Sequence, residues 1–158
     1  MTNFKKTAGA LGLSAILIAT AGIAGSHSNK DLNPAVAARH AQMQMIGYSI
    51  GMLGSVAKGE IEYDADMVRS AASNLAALAK FDRTSLWIAG TEQGAEAGSR
   101  AKAEIWSDPD GFGERFEELA TAATALIEAG DAAAVGAGMG ALGGACKACH
   151  EKYRGPKG

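Results

Sequence analysis

Near its C-terminus the chain sets Val135, Met139, Leu142, Cys146 and Cys149 at alternating steps of four and three. On an α-helix that rhythm draws one narrow seam, the pattern of a helix facing other helices. Asp131 stands ahead of it as a side-chain cap. A seam of this kind needs partners, and three further stretches supply them. Asn33-Pro34 is a cap followed by proline at the first helical position. Val36, His40, Met43, Gly47, Ile50, Gly54 and Ala57 then follow at fours and threes until "KGE". A second stretch, from about Asp64, aligns Met67, Ala71, Leu75, Leu78 and Phe81. A third, starting near "SDPDGF", aligns Phe112, Phe116, Leu119, Ala123 and Leu126 and stops at Gly130.

No stretch alternates at period two with β-branched residues, so strands are not expected. The spacing predicts an all-α fold: an antiparallel, up-down-up-down four-helix bundle with two short turns and one long irregular crossing. That crossing, "WIAGTEQGAEAGSRAKAEIW", joins the second and third helices, with a short helix expected around Arg100 to Trp106. The last helix is glycine-rich, "AVGAGMGALGGAC", although each glycine costs roughly 1 kcal/mol relative to alanine in a helix. Either a bulky group approaches its backbone closely, or it crosses a neighbouring helix tightly.

The N-terminus reads as a targeting segment. Lys5 and Lys6 without an acid, the apolar "GALGLSAILIAT" and the small-residue "ATAGIAG" follow the order of a secretory signal. Residues 1–24 are assigned to it, with cleavage between about 21 and 25; an uncleaved anchor is the other reading, with an apolar run interrupted by glycines. Residues 25–158 then form one helical domain, exported to a periplasm and soluble there without membrane attachment. Cleavage removes two of 15 basic residues and none of 17 acidic ones, taking the net charge from −2 to −4. An acidic chain without a Lys/Arg cluster gives no reason to expect nucleic-acid binding.

Both cysteines lie in "CKACH". Cys146 and Cys149, three apart, share one helix face a turn from each other, and His150 follows directly. Two thiols at that spacing reach the two vinyl groups of a haem, and the adjacent imidazole reaches its iron, the signature of c-type attachment. A thioredoxin-like pair needs a strand leading into a helix N-terminus; a zinc site lacks an evident fourth ligand, with only His27 and His40 left; an i,i+3 disulfide on a regular helix is strained. The motif therefore assigns haem c, one per chain. Aromatic residues make up only 6% of the chain, and a porphyrin would supply the missing apolar volume, with the small residues of the last helix making room for it. For the second axial position the first helix offers His40, Met43 and Met45, with Arg39 placed to pair with a propionate.

"CKACHEKYR", "EIWSDPDGF", "VAKGEIEYDA" and "ARHAQM" together resemble the class II c-type cytochromes, specifically the cytochrome c′ family, in order and over nearly the whole mature chain. The resemblance implies a periplasmic four-helix bundle, commonly a homodimer through its first two helices. It implies Cys146 and Cys149 as haem attachment points and His150 as proximal iron ligand. Arg154 falls near that ligand on the solvent side, Arg39 and His40 at haem-contact positions, and Met43 where the distal face is crowded.

The expected function is one-electron transfer to small redox partner proteins, with NO and CO binding at five-coordinate high-spin iron. The alternative is a low-spin six-coordinate carrier with Met43 as sixth ligand. An enzymatic reading, such as a peroxidase, needs a distal acid/base group that only His40 offers; no enzyme is expected.

Overall fold

The computed structural model describes residues 32–157, so the signal-peptide assignment and His27 lie outside the described residues. Five helices follow in order: α1 Pro34–Ala57, α2 Ala65–Ala79, α3 Glu104–Ser107, α4 Pro109–Thr124 and α5 Ala132–Tyr153. Among the described residues there is no strand; pairing is confined to isolated bridges, one of them joining Ala101 to Arg154.

Each long helix begins on a side chain that accepts a backbone N–H. Asn33 takes that of Ala35, Asp64 that of Met67, Asp108 that of Gly111 and Asp131 that of Ala134. Such caps contribute about 1 kcal/mol each. Pro34 and Pro109 sit at the helix starts, where a missing N–H costs nothing. α1 closes through Gly59, whose φ of 71° is the left-handed conformation a helix-ending glycine permits.

α1 packs on α2 and α5, and α4 packs on the same two, which makes a four-helix bundle with α1 and α4 diagonal to each other. The α1–α2 and α4–α5 turns meet at one end, where the Tyr63 hydroxyl donates to the Ala129 carbonyl at 2.7 Å. α5, 22 residues long with a hydropathy of 1.2 over its most apolar window, is long and apolar enough to cross a membrane. Here it serves instead as a bundle wall, contacting α1 and α4.

The core is divided. Leu53, Val56, Leu75, Leu119, Leu126, Val135 and Leu142 fill the bundle between the four helices. Ile105, Phe112, Phe116 and Tyr153 form a second cluster. There Phe112 meets Trp87, Phe116 and Tyr153 edge-on at 4.8, 5.3 and 5.1 Å between ring centres.

Two helix faces differ from the spacing argument. On α2 the buried residues are Val68, Ala71, Ala72, Leu75, Ala76 and Ala79, while Met67 and Leu78 are only half-buried. The face is centred between two neighbours, α1 and α4, rather than on one. Phe81 lies beyond the helix end and is 53% exposed. On α1 the buried row runs through Arg39, Gln42, Ile46, Ser49, Leu53 and Val56. The expected row of Val36, His40, Met43, Gly47 and Ile50 lines a cavity, which Arg39 and Ile46 also border.

The long crossing is held from α1. The Arg39 guanidinium, 3% exposed, donates to the Thr91 hydroxyl and carbonyl at 3.1 and 3.0 Å and to the Ser99 hydroxyl at 3.5 Å. The short helix starts at Glu104 rather than near Arg100, because residues 100–102 are engaged with the tail. Gly155 N–H donates to the Arg100 carbonyl at 2.8 Å and Lys102 N–H to that of Tyr153 at 3.0 Å.

Asp108 joins the start of α4 to the end of α5. Its carboxylate accepts from Lys152 Nζ at 2.5 Å and from the Tyr153 hydroxyl at 2.7 Å, besides capping α4. Lys152, then Tyr153 and the Gly111 N–H, pull its pKa from the ordinary 3.8 to about 2. A depressed carboxylate stabilises the fold above the unfolded pKa and loses that contribution as pH falls through the folded one. The window is therefore from about 3.8 down to about 2. Asp108→Asn keeps a capping oxygen and removes the charge. Melting temperatures measured across that window should fall less steeply for the variant, most clearly at low salt because the pair is half-exposed. Equal slopes would show that the charge is not linked to folding.

Candidate cofactor site on the last helix

α5 carries Cys146, Cys149 and His150 in its final turns, and all three open onto one cavity of about 400 Å³. That lies within the range of small-molecule and cofactor sites. α1 forms a second wall with Val36, Arg39, His40, Met43, Ile46 and Ile50. α4 adds Phe112, Arg115, Phe116 and Leu119, and the crossing adds Trp87, Arg100 and Ala101. The seven residues singled out by sequence, Cys146, Cys149, His150, Arg39, His40, Met43 and Arg154, all line this cavity. Met45 does not; it points outward, 57% exposed.

Trp87, Arg100, Arg115 and Tyr153 join the lining without having been singled out by sequence. Arg115 carried a usable signal: it stands three residues after Phe112 on the face whose apolar members were recognised. Arg100 carried none, since its place depends on the fold of the crossing.

Of the small residues of α5 expected to make room, Ala145 borders the cavity and the glycines do not. The cavity's glycine is Gly47 of α1, and α5 contributes Ala145 beside its cysteines. A methyl group on Gly138 would lie 2.4 Å from Leu126 Cδ2, whereas on Gly140, Gly143 or Gly144 it would meet nothing within 4 Å. The glycine run therefore serves one tight approach, to the α4–α5 turn, and is otherwise open.

The thiols are not joined to each other. They sit near the C-terminal end of a helix, the opposite end from one that stabilises a thiolate. Burial pushes the Cys146 pKa up. Burial, then repulsion from Cys146, raises that of Cys149 to about 11. Both thiols are therefore poor nucleophiles, which counts against dithiol redox chemistry. Among the described residues no three His, Cys, Asp or Glu groups converge as a metal site would require. Burial, followed by the Arg154 and Arg100 charges, lowers the His150 pKa, which favours the neutral imidazole with its free lone pair.

Two features describe what the cavity accepts. Among the described residues its charged lining consists of Arg39, Arg100, Arg115 and Arg154, with no carboxylate. The Trp87 indole N–H is buried and has no hydrogen-bond acceptor, although the ring is fixed by Phe112 at 4.8 Å and by the Arg39 guanidinium stacked 4.7 Å above it. A buried donor without a partner costs roughly 1–3 kcal/mol. A large apolar group with vinyl and carboxylate substituents fits such a lining.

Known proteins resemble this chain over most of its length. Residues 34–154 match the family model described as Cytochrome C′. A cytochrome c′ of Cereibacter sphaeroides is 35% identical over 143 residues, 88% of this chain and 96% of that one. A solved structure, cytochrome c′ from Rhodobacter spheriodes, superposes with a TM-score of 0.73 at 35% identity, over 78% of this chain and 96% of that chain. Another, a nitric oxide complex of a mutant cytochrome c prime from Alcaligenes xylosoxidans, gives a TM-score of 0.65 at 30% identity, over 77% and 94%.

Proposed function

Because this chain belongs to the cytochrome c′ family, we propose that it is a periplasmic haem c protein that exchanges single electrons and binds NO and CO, without a turnover reaction of its own. The observation that carries the proposal is the convergence of two thiols, an imidazole and an acid-free arginine lining on one apolar cavity. Bound haem would supply one-electron chemistry at its iron and a metal that can take a diatomic gas.

In this reading Cys146 and Cys149 hold the group through thioethers and His150 presents its imidazole nitrogen to the metal. Arg39 and the Trp87 N–H serve the carboxylate substituents, offsetting a buried charge and an idle donor. Val36, Ile46, Ile50 and Leu119 exclude water. The nitric oxide complex of the Alcaligenes xylosoxidans protein supports the same ligand here. On the outer side of α1, Tyr48 and Met45 are 72% and 57% exposed, an apolar face suited to pairing with a second copy.

Five-coordinate iron is the favoured state. Met43 packs against both core clusters, so packing alone accounts for its place. The reduced protein should show a broad high-spin Soret band that shifts on adding CO, and Met43→Ala should leave that spectrum nearly unchanged. Sharp low-spin bands indifferent to CO, lost in Met43→Ala, would establish Met43 as the sixth ligand instead.

A further inference from the structure

The charges around the cavity mouth do not follow those of the chain. The whole sequence is net −2, yet among the described residues four arginines and no carboxylate face the cavity. Acids nearby have cation partners of their own, and Arg115 is shared by two of them, Glu114 at 3.5 Å being the second. Glu118 pairs with Arg115 at 2.9 Å, Glu151 with Lys147 at 3.7 Å and Asp108 with Lys152 at 2.5 Å. Among the described residues, Arg39, Arg100 and Arg154 have no carboxylate at ion-pair distance.

Of these, Arg39 is buried, whereas Arg100 is half-buried and Arg154 exposed, with exposed Lys157 just beyond. Arg100 is fixed rather than free: its guanidinium donates to the Gly155 carbonyl at 2.9 and 2.7 Å and to the Pro156 carbonyl at 3.3 Å. The end of α5 contributes an opposing partial charge of about half a unit, less than one of these cations. A fixed positive rim on an otherwise acidic molecule draws anions toward the group it surrounds and repels cations.

We propose that the rim formed by Arg100, Arg154 and the 155–157 tail is the docking surface for an acidic electron-transfer protein, whose carboxylates meet it at the mouth of the cofactor cavity. The inference rests on the haem reading above; two haem carboxylates would leave the outer cations in excess once Arg39 has taken its share.

Stopped-flow oxidation of the purified, reduced holoprotein tests it with two oxidants of opposite sign. Ferricyanide, a trivalent anion, takes one electron and becomes ferrocyanide as the protein goes from ferrous to ferric. Tris(phenanthroline)cobalt(III), a trivalent cation, takes one electron and becomes the cobalt(II) complex. Between 0.01 and 0.15 M salt the Debye length contracts from about 30 to about 8 Å. Over that range the ferricyanide rate should fall about tenfold, and the cobalt rate should rise or stay level. Oxidised plastocyanin, an acidic protein probe whose Cu(II) is reduced to Cu(I), should follow ferricyanide.

Arg100→Gln with Arg154→Gln should remove most of the salt dependence, and Arg100→Lys with Arg154→Lys should retain it. The opposite salt response, a plastocyanin rate indifferent to salt, or a Gln pair that behaves like the parent would overturn the docking surface while leaving the haem reading intact. Colourless protein from a host competent in cytochrome maturation would overturn the haem reading itself.

Discussion

Replacing Cys146 and Cys149 together by alanine should give a colourless protein that keeps most of its helix and loses its fixed tertiary packing. The cavity they border measures about 400 Å³. At about 24 cal/mol per Å³, a void of that size held rigid and empty costs roughly 10 kcal/mol. A domain of this kind is stable by only about 5–15 kcal/mol. The bundle has no means to keep its shape around such a void, so it relaxes or admits water through the open mouth. The four side-chain caps act locally and persist, which keeps the helices. Far-UV circular dichroism should therefore change little, the near-UV signal of the Trp87, Phe112 and Tyr153 cluster should collapse, and a hydrophobic dye should bind. Each single replacement leaves one thioether and a coloured, packed protein. A colourless double variant that unfolds cooperatively within about 1 kcal/mol of the parent would show that the cavity's occupant is dispensable to the fold.

The residues legible in the sequence were those whose role is local or periodic. Asn33, Asp64 and Asp131 act on backbone within three positions, so their helices begin where the caps stand. The cysteine pair and His150 needed only helical spacing to share a wall. What escaped depends on a second or third element. The row on α1 with His40 and Met43 borders the cavity, as their offer to the second axial position implied, while the core row beside it was masked by Arg39, Gln42 and Ser49. Those polar residues are buried because the crossing and α2 meet them, as when Gln42 donates to the Leu78 carbonyl at 2.9 Å. Spacing on one helix carries no information about such partners. For the same reason Phe81, in phase with the row on α2, is exposed: the helix ends two residues earlier.

Arg39 tests the link between the fold and its cofactor most sharply, because Arg39→Met should have different consequences with and without haem. Its guanidinium is 3% exposed, bonded to neutral oxygens of Thr91 and Ser99 and stacked on Trp87. Burial lowers its pKa, and only Glu96 acts the other way. A desolvated cation with neutral partners is expensive; a carboxylate brought by the cofactor offsets it. In the holoprotein the substitution removes charge-assisted hydrogen bonds worth about 1.5–3 kcal/mol each and the stacking on Trp87. A net destabilisation of about 3 kcal/mol is expected, read as a lower urea midpoint. It also frees the crossing at Thr91 and Ser99, so amide exchange there should accelerate. In the Cys146→Ala, Cys149→Ala background there is no anion to lose, and an apolar side chain of similar length spares the desolvation. That background has already lost its fixed packing, so the substitution should leave its far-UV signal across a urea titration unchanged, and no more dye should bind. Equal losses in both backgrounds would mean that Arg39 serves only to anchor the crossing and has no carboxylate of a cofactor to meet.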